Sequence, residues 1–274
     1  PRAGTLQHGL TEVRILGFTY NDTSSTDMGL KARLTSWQVC GNLRNYTASI
    51  PGKSGVADFG ADFDYREINV SCGIAPRKNF KSLVAVLDDI SLWLDPTGGL
   101  KQLVLDDVPD RYFMTRLYEK VDCERLLVRS AGGFDLKFFC PDPFAYAVED
   151  EEFTISTTGS HTVTRAKGNI ESHPVYRVKG TITSGVSNYI TISTNGDELK
   201  IVNAALASDE TLVVDADMMT AYVENESGII LRNGLPYLSE LNFPALAVGD
   251  NTISVAANNA TFTSLEIQAK SRWR

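Results

Sequence analysis

Apolar and polar residues alternate with a period of two over Tyr65–Ile74. Ile68, Val70 and Cys72 fall on one side of this alternation, whereas Asn69 falls on the other. Successive side chains of a β-strand point to opposite faces, so the pattern predicts a strand with one buried face. Short runs of the same kind recur along the first half of the chain.

The first half combines such runs with one helical pattern. The predicted strands are Glu12–Gly17, Thr35–Cys40, Tyr46–Ile50, Tyr65–Ile74, Gln102–Leu105, Tyr112–Lys120, Arg125–Val128 and Phe134–Cys140. Apolar residues spaced three and four apart predict a helix over Asn79–Asp95, with Asn79 as its N-terminal cap and Pro96 after its end. One helix packed on antiparallel strands predicts an α+β domain or a helix-decorated sandwich.

Between two of these strands lies Pro51–Asp64, a segment far longer than a tight hairpin turn. Its apolar residues Val56, Phe59 and Phe63 are interleaved with glycines and aspartates. Apolar side chains on a long loop favour a partner surface outside that loop. We therefore predict a subunit-interface loop. Its assigned residues are Pro51, Gly52, Lys53, Gly55, Val56, Phe59, Gly60 and Phe63.

The pattern changes around Pro141–Glu152, where two prolines precede an acidic cluster. We place the domain boundary there, which gives domains of residues 1–141 and 142–274. The second domain has short, often β-branched runs and no helical pattern. The predicted strands are Val175–Lys179, Tyr189–Ser193, Leu199–Val202, Leu212–Val214, Ala221–Val223, Gly228–Leu231, Thr252–Ala256 and Leu265–Ala269. Turn signals at Asn195–Gly196 and Asn233–Gly234 support a two-sheet β-sandwich.

Charge is distributed unevenly between the two halves. Residues 1–141 hold 17 basic and 17 acidic residues, whereas residues 142–274 hold 9 basic and 17 acidic ones, which accounts for the net charge of −8. Affinity for nucleic acid comes mainly from Lys and Arg, so we do not expect sequence-specific nucleic-acid binding. No apolar run approaches the length that spans a membrane, so we do not expect membrane insertion either.

Candidate catalytic chemistry rests on carboxylates. Asp58, Asp62 and Asp64 cluster in the predicted loop, and Asp106 and Asp107 follow a predicted strand. Paired carboxylates could serve glycoside hydrolysis or bind calcium, but the spacing is not that of an EF-hand. Solvated loop residues are the simpler interpretation. The histidines are far apart and match no metal-binding motif, so we predict no enzyme activity, no metal and no cofactor.

The four cysteines all lie in the neutral half, and none forms a C-x-x-C pair. Cys72 and Cys140 fall on the apolar faces of predicted strands. Buried reduced thiols are the simpler interpretation, and a disulfide between strands is the alternative.

Exposed aromatic residues would indicate a sugar-binding surface, because sugar rings stack on them. For Trp37 and Trp93 we expect core packing, since both lie on patterned elements. A carbohydrate-binding module acting through the second β-sandwich is the alternative function. Its candidate partner or sugar contacts are Tyr176, Tyr189, Tyr222 and Tyr237.

Three segments, in order along the chain, resemble the distal tail proteins of siphophages. The first is IPGKSG at Ile50–Gly55 followed by the strand DYREINVSCGI. The second is Arg111–Tyr146, which contains GGFDLKFFCPDPFAY, and the third is FPALAVGDNTISV at Phe243–Val255. Together the three segments span most of the chain.

The resemblance implies a virion component that forms the hub of the tail tip or baseplate. It implies a tail-tube-like first domain with one helix and a long projecting loop, six copies of which close into a hexameric ring around a channel. The implied second domain is a galectin-like β-sandwich that faces outward. The implied partners are further copies of the chain, the tail-tube protein, a tail-tip or tail-associated protein and a receptor-binding protein. The implied location is the phage tail tip, after assembly in the bacterial host cytoplasm.

Overall fold

The computed structural model describes residues 17–126 and 131–274. The chain divides into two compact units, Pro1–Pro143 and Phe144–Arg274. Strands dominate the described residues and one α-helix accompanies them, which confirms the mainly-β fold class. Within these ranges no helix combines the length and the hydrophobicity that crossing a bilayer requires. The predicted strand Glu12–Gly17 lies outside the described residues except for Gly17, and so does the end of Arg125–Val128.

The first unit is built from one large antiparallel sheet, a separate hairpin and a helix. Its elements are β1 (Phe18–Tyr20), β2 (Thr23–Ser24), β3 (Leu30–Leu34), β4 (Leu43–Ala48), β5 (Ala57–Phe63), β6 (Arg66–Ile74), α1 (Phe80–Trp93), β7 (Lys101–Leu105), β8 (Val108–Leu117), β9 (Glu124–Leu126) and β10 (Ala131–Cys140). The strand order is β2-β1-β7-β8-β10-β6-β3, with β9 added beside β10. Strands β4 and β5 pair only with each other.

The alternation that predicted β6 is confirmed by the register of its pairing. Strand β6 runs antiparallel to β10 from Ile74 opposite Gly132 to Arg66 opposite Cys140. The apolar side of β6 is buried, as is Leu136 on β10. The two strands therefore form the centre of the first core.

Helix α1 begins and packs as the sequence predicts. The Asn79 Oδ1 accepts a hydrogen bond of 2.9 Å from the backbone N–H of Ser82, which satisfies a free donor of the first turn. Leu83 and Ile90 are buried and lie seven residues apart, the spacing of two turns on one helical face.

Trp93 at the end of α1 also packs as predicted. Its ring stacks on Phe18 with centroids 5.5 Å apart. Its Nε1 donates a hydrogen bond of 2.9 Å to the carbonyl of Tyr20. The helix is thereby fixed to strand β1.

The predicted strand Thr35–Cys40 is wrong, and so is the predicted core packing of Trp37. Strand β3 ends at Leu34, and the following side chains point to solvent: Trp37 is 42% exposed and Val39 89% exposed. The Trp37 ring lies over the buried guanidinium of Arg66, with the ring centroid 5.9 Å from Cζ. Trp37 is therefore held by a cation–π contact with Arg66 and not by packing in the core.

All four cysteines are free thiols. Cys72 and Cys140 are buried, as predicted, and burial raises the pKa of each thiol to about 12. Cys123 is half-buried and Cys40 is exposed.

The second unit contains two facing sheets. Its strands are β11 (Ala145–Ala147), β12 (Glu152–Ile155), β13 (Gly159–Arg165), β14 (Val175–Ile182), β15 (Tyr189–Thr194), β16 (Asp197–Val202), β17 (Glu210–Asp215), β18 (Thr220–Asn225), β19 (Ile230–Asn233), β20 (Gly249–Asn258), β21 (Ala260–Gln268) and β22 (Arg272–Trp273). One sheet has the order β12-β21-β14-β17-β18-β19 and the other β13-β20-β15-β16. Apolar side chains of both sheets form one buried cluster, as in a sandwich.

One of the two turn signals behaves as expected. Asn195 and Gly196 both have positive φ, at 54° and 101°, and they join β15 to β16 in a two-residue hairpin. Gly234 instead follows β19 and precedes a short 3-10 turn. A Cβ there would lie 2.6 Å from the Leu212 side chain, so close packing accounts for this glycine.

The acidic cluster at the predicted boundary makes defined contacts within the second unit. The Asp150 carboxylate accepts hydrogen bonds from the backbone N–H groups of Lys270 and Ser271, at 2.6 and 3.0 Å. Glu151 accepts from the N–H groups of Ala166 and Lys167, both at 2.9 Å. These carboxylates hold the end of the chain and a neighbouring loop in place.

Candidate subunit interface

The predicted interface loop is a β-hairpin. Strand β5 takes up half of Pro51–Asp64 and pairs antiparallel with β4, with Leu43 opposite Phe63 and Ala48 opposite Ala57. We call this hairpin, residues 43–63, the arm. The prediction of one continuous loop is wrong, because only the residues between Ala48 and Ala57 form its turn.

A signal for β5 is present in the sequence ADFGADF. Ala57, Phe59, Ala61 and Phe63 alternate with aspartates and a glycine, which is the period of a strand. Glycine and aspartate are depleted in strands and common in turns, so composition obscured the alternation.

The two strands of the arm pair with no other strand of the described residues. Every residue of β4 is exposed, and β5 is exposed except at its two ends. Val56 is 55% exposed and Phe59 is 71% exposed. A two-stranded hairpin without packing on either face is marginally stable in water. Its apolar side chains therefore lack the cover that apolar residues of the two cores have.

The residues assigned to the interface are all on this arm. Pro51, Gly52, Lys53, Gly55, Val56, Phe59 and Gly60 are exposed, and Phe63 is half-buried at the base. The loop assignment missed two apolar residues of β4, Leu43 and Tyr46, which are also exposed.

A tight turn shapes the tip of the arm. The N–H of Lys53 donates a hydrogen bond of 3.1 Å to the carbonyl of Ile50. Gly52 has φ of 78°, and with Pro51 before it this is the arrangement of a type II turn. A residue other than glycine would be strained at this position.

The carboxylates considered for catalysis stabilise the arm instead. Tyr46 donates to Asp62 over 2.9 Å, and the N–H of Gly60 donates to Asp58 over 2.9 Å. The Arg44 guanidinium donates to Asp64 over 2.8 Å and holds the pKa of that carboxyl below its usual range.

The second carboxylate group is also structural. Asp106 accepts a hydrogen bond of 2.7 Å from the N–H of Gly17. Among the described residues, no group of three or more His, Cys, Asp or Glu side chains is arranged to hold a metal ion.

The four tyrosines considered for sugar contact do not share a surface. Tyr176 is fully buried and its hydroxyl lies 2.9 Å from Thr194 Oγ1, so its assignment as a surface contact is wrong. Tyr189 and Tyr222 each adjoin a buried residue on their strand, so both point out of the sandwich. Because they lie on different sheets, they point away from each other. Tyr237 lies in a 3-10 turn, where its hydroxyl accepts from Arg232.

The sequence of residues 29–140 matches a known family, the phage tail protein RIFT-related domain. The matched residues lie within the first unit. This match takes in the arm, helix α1 and the central pair of β6 and β10. No curated protein matches the chain significantly.

The comparison with solved structures found two similar chains. The crystal structure of the Dit (gp 19.1) protein of phage SPP1, described as a paradigm of the hub adsorption apparatus in phages that infect Gram-positive bacteria, has a TM-score of 0.70 at 17% identity. The alignment covers 95% of this chain and 100% of the Dit chain. A chain of the phage P2 baseplate in its Ca-activated conformation has a TM-score of 0.49 at 7% identity, covering 94% and 99%. The resemblance to siphophage distal tail proteins is confirmed by the domain match and by the fold shared with Dit.

Proposed function

We propose that the protein is the structural hub of a phage or prophage tail tip. Copies of its first unit form a ring that joins the tail tube to the tip or baseplate. The observation that carries this proposal is the exposed apolar arm on a domain of a phage tail family. The role needs no catalysis, and the arm and strand carboxylates serve local structure.

Ring closure by an arm fits a heterologous contact, in which one surface of a subunit meets a different surface of the next. Repetition of one such contact generates a closed ring when the rotation between neighbours completes a circle. In the proposed hub six copies close around a channel that DNA can pass.

Burial of the exposed apolar side chains of the arm stabilises each junction between subunits. An aromatic side chain buries about 150–250 Å². Burial of apolar area contributes about 25 cal/mol per Å², so Phe59 and Val56 together contribute roughly 5 kcal/mol at a junction before the entropy lost on association. Each subunit of a closed ring takes part in two junctions, which increases the stability of the assembly.

The second domain, residues 142–274, is proposed as an outward-facing, galectin-like β-sandwich. It carries the whole net charge of −8, which favours solubility of a domain that projects from the ring. In this arrangement the proposed partners of the hub are the tail-tube protein, a tail-tip or tail-associated protein and a receptor-binding protein. The proposed location is the tail tip of the virion, after assembly in the host cytoplasm.

Removal of the arm tests the proposal. Replacing residues 45–61 with a two-residue turn should leave a folded chain with the circular dichroism and thermal unfolding of the parent. Light scattering should then give the mass of a monomer where the full chain gives a hexamer. A matched control shortens the exposed β17–β18 turn at Met218 and Met219 in the second unit and should leave the hexamer intact. Rings that persist without the arm would refute the assignment of the arm as the subunit interface.

A further inference from the structure

An apolar cavity of about 440 Å³ opens between α1 and the large sheet of the first unit. From the helix it is lined by Leu87, Ile90 and Leu94, and from the sheet side by Leu117, Val121 and Phe134. Apolar walls offer water few hydrogen bonds, so an open pocket of this kind favours an apolar occupant. None of its lining residues belongs to the arm, so the arm of the same chain does not fill it.

The apolar surface continues from the cavity along α1. Val84 is exposed and precedes Leu87 by three residues, so the two are neighbours on the helix surface. We call the cavity and this stretch of helix the α1 groove. Asp88 follows Val84 by four residues and therefore flanks this stretch of the helix. It is exposed and forms no ion pair with any residue that the structure describes.

The arm has the complementary properties. It presents Val56 and Phe59 to solvent, and the ring of Phe59 is small enough to enter a cavity of this size. Lys53 is the charged residue of the tip, and it likewise has no ion-pair partner in the described ranges. Strands of six and seven residues give the hairpin a reach of about 20 Å, enough to cross a face of a neighbouring domain.

We propose that the arm of one subunit docks in the α1 groove of a second copy of this chain. Phe59 enters the cavity, Val56 covers the helix surface near Val84, and Lys53 approaches Asp88. The opposite charges fix the direction in which the arm crosses the helix, while the apolar contacts supply affinity. This inference rests on the proposed ring and specifies which surface of the neighbour the arm meets.

Photocrosslinking of the full chain tests the contact directly. Phe59 is replaced by the photoreactive residue p-benzoylphenylalanine, and the protein is mixed with an isotopically heavy copy of the parent chain. The expected products join the arm of the light chain to heavy peptides that contain α1 or Leu117–Cys123. Oligomers whose crosslinks fall on another part of the heavy chain would contradict docking in the α1 groove, while the proposed ring would stand. A chain that stays monomeric and gives no crosslink between copies would overturn both.

A charge exchange tests the orientation without altering the core. Lys53→Glu should lower the crosslink yield roughly tenfold, the change expected when one charged contact of about 1.4 kcal/mol is lost. Adding Asp88→Lys to the same chain should restore the yield. A yield that the second change leaves low would contradict the proposed orientation.

Two helix variants separate the groove from the helix as a whole. Leu87→Glu places a charge in the cavity wall and should abolish the crosslink. Leu92→Glu is the matched control, because Leu92 is 79% exposed and does not line the cavity, and it should change nothing. Both variants should retain the thermal unfolding of the parent. Equal loss of crosslinking in the two variants would contradict docking of the arm in the α1 groove.

Discussion

Two hairpins of similar length in this chain bury their apolar residues in different ways. In the β15–β16 hairpin, Ile190, Ile192, Leu199 and Ile201 are each 0% exposed. In the arm, the facing strands have almost no buried residue. Both hairpins have antiparallel ladders and alternating sequences, so local structure does not distinguish them.

The difference lies in what covers the apolar face. The sandwich hairpin packs against the opposite sheet of its own unit, which contributes about 1.5–3 kcal/mol for each large side chain buried. The arm gains nothing comparable within the chain. This difference is the basis of our proposal that another subunit covers the arm.

The largest expected effect is on the sandwich hairpin. Ile192→Ala should lower the free energy of unfolding of the second unit by about 3 kcal/mol, because it leaves a cavity in a core that is closely packed. Urea unfolding followed by circular dichroism measures the change. Val186→Ala, at a position 87% exposed, is the control and should change little. An Ile192→Ala variant as stable as the parent would show that this hairpin is no better packed than the arm.

A second difference concerns ion pairs. Arg232 donates to both carboxylate oxygens of Glu210, at 2.6 and 2.7 Å, and together with the N–H of Ala207 it lowers the pKa of Glu210 to about 2. A depressed carboxylate pKa stabilises the fold above the ordinary pKa near 4.5, and this stability is lost as pH falls towards 2.

The pH dependence of unfolding should reveal this pair. Lowering the pH from about 6 to about 3 should remove up to about 2 kcal/mol of stability through Glu210. Glu210→Gln should remove that part of the pH dependence. Asp64→Asn, at the exposed ion pair of the arm, should leave the unfolding curve unchanged. A parent chain and Glu210→Gln variant with the same pH profile would contradict the role of the pair.

The helix cap tests a smaller and purely local term. Asn79→Ala removes the acceptor for the Ser82 N–H and should lower the unfolding free energy by about 1 kcal/mol. Ser91→Ala, in the exposed part of the same helix, is the matched control. If both substitutions have the same effect, the cap does not contribute.

The smallest effect on folding is expected for the arm itself. Phe59→Ala should change the unfolding free energy of the isolated subunit by less than about 0.5 kcal/mol, since Phe59 is mostly exposed. The same substitution should weaken association of subunits by at least about tenfold. Sedimentation at a series of concentrations measures the second quantity. A variant that is less stable as a monomer but associates normally would reverse the comparison.

Sequence reasoning succeeded where local pattern and burial agree. The alternation of β6, the cap and face of α1 and the Asn195–Gly196 turn each predict what the structure contains. It failed where a contact distant in sequence decides. Trp37 alternates like a core residue, but its ring covers Arg66, a partner that periodicity does not indicate.

The structure of the arm was predicted incorrectly, and its role as a subunit interface stays a prediction. Its apolar residues indicate a partner surface because nothing nearby in sequence could cover them. Its glycines and aspartates indicate a loop, although their alternation with Phe59 and Phe63 is that of a strand. The predicted surface contact at Tyr176 is wrong because the sequence does not tell which face of a strand is turned to the core.

Hydrogen exchange of the unmodified protein tests most directly whether a neighbouring copy covers the arm. Amides of residues 43–63 are followed by mass spectrometry in dilute subunits and in the assembled form, with the exposed loop around Val186 as the internal reference. We predict rapid exchange in the free subunit and marked slowing in the arm and in α1 on assembly, with no change in the reference. An assembly in which the arm exchanges as fast as in the free subunit would contradict the account.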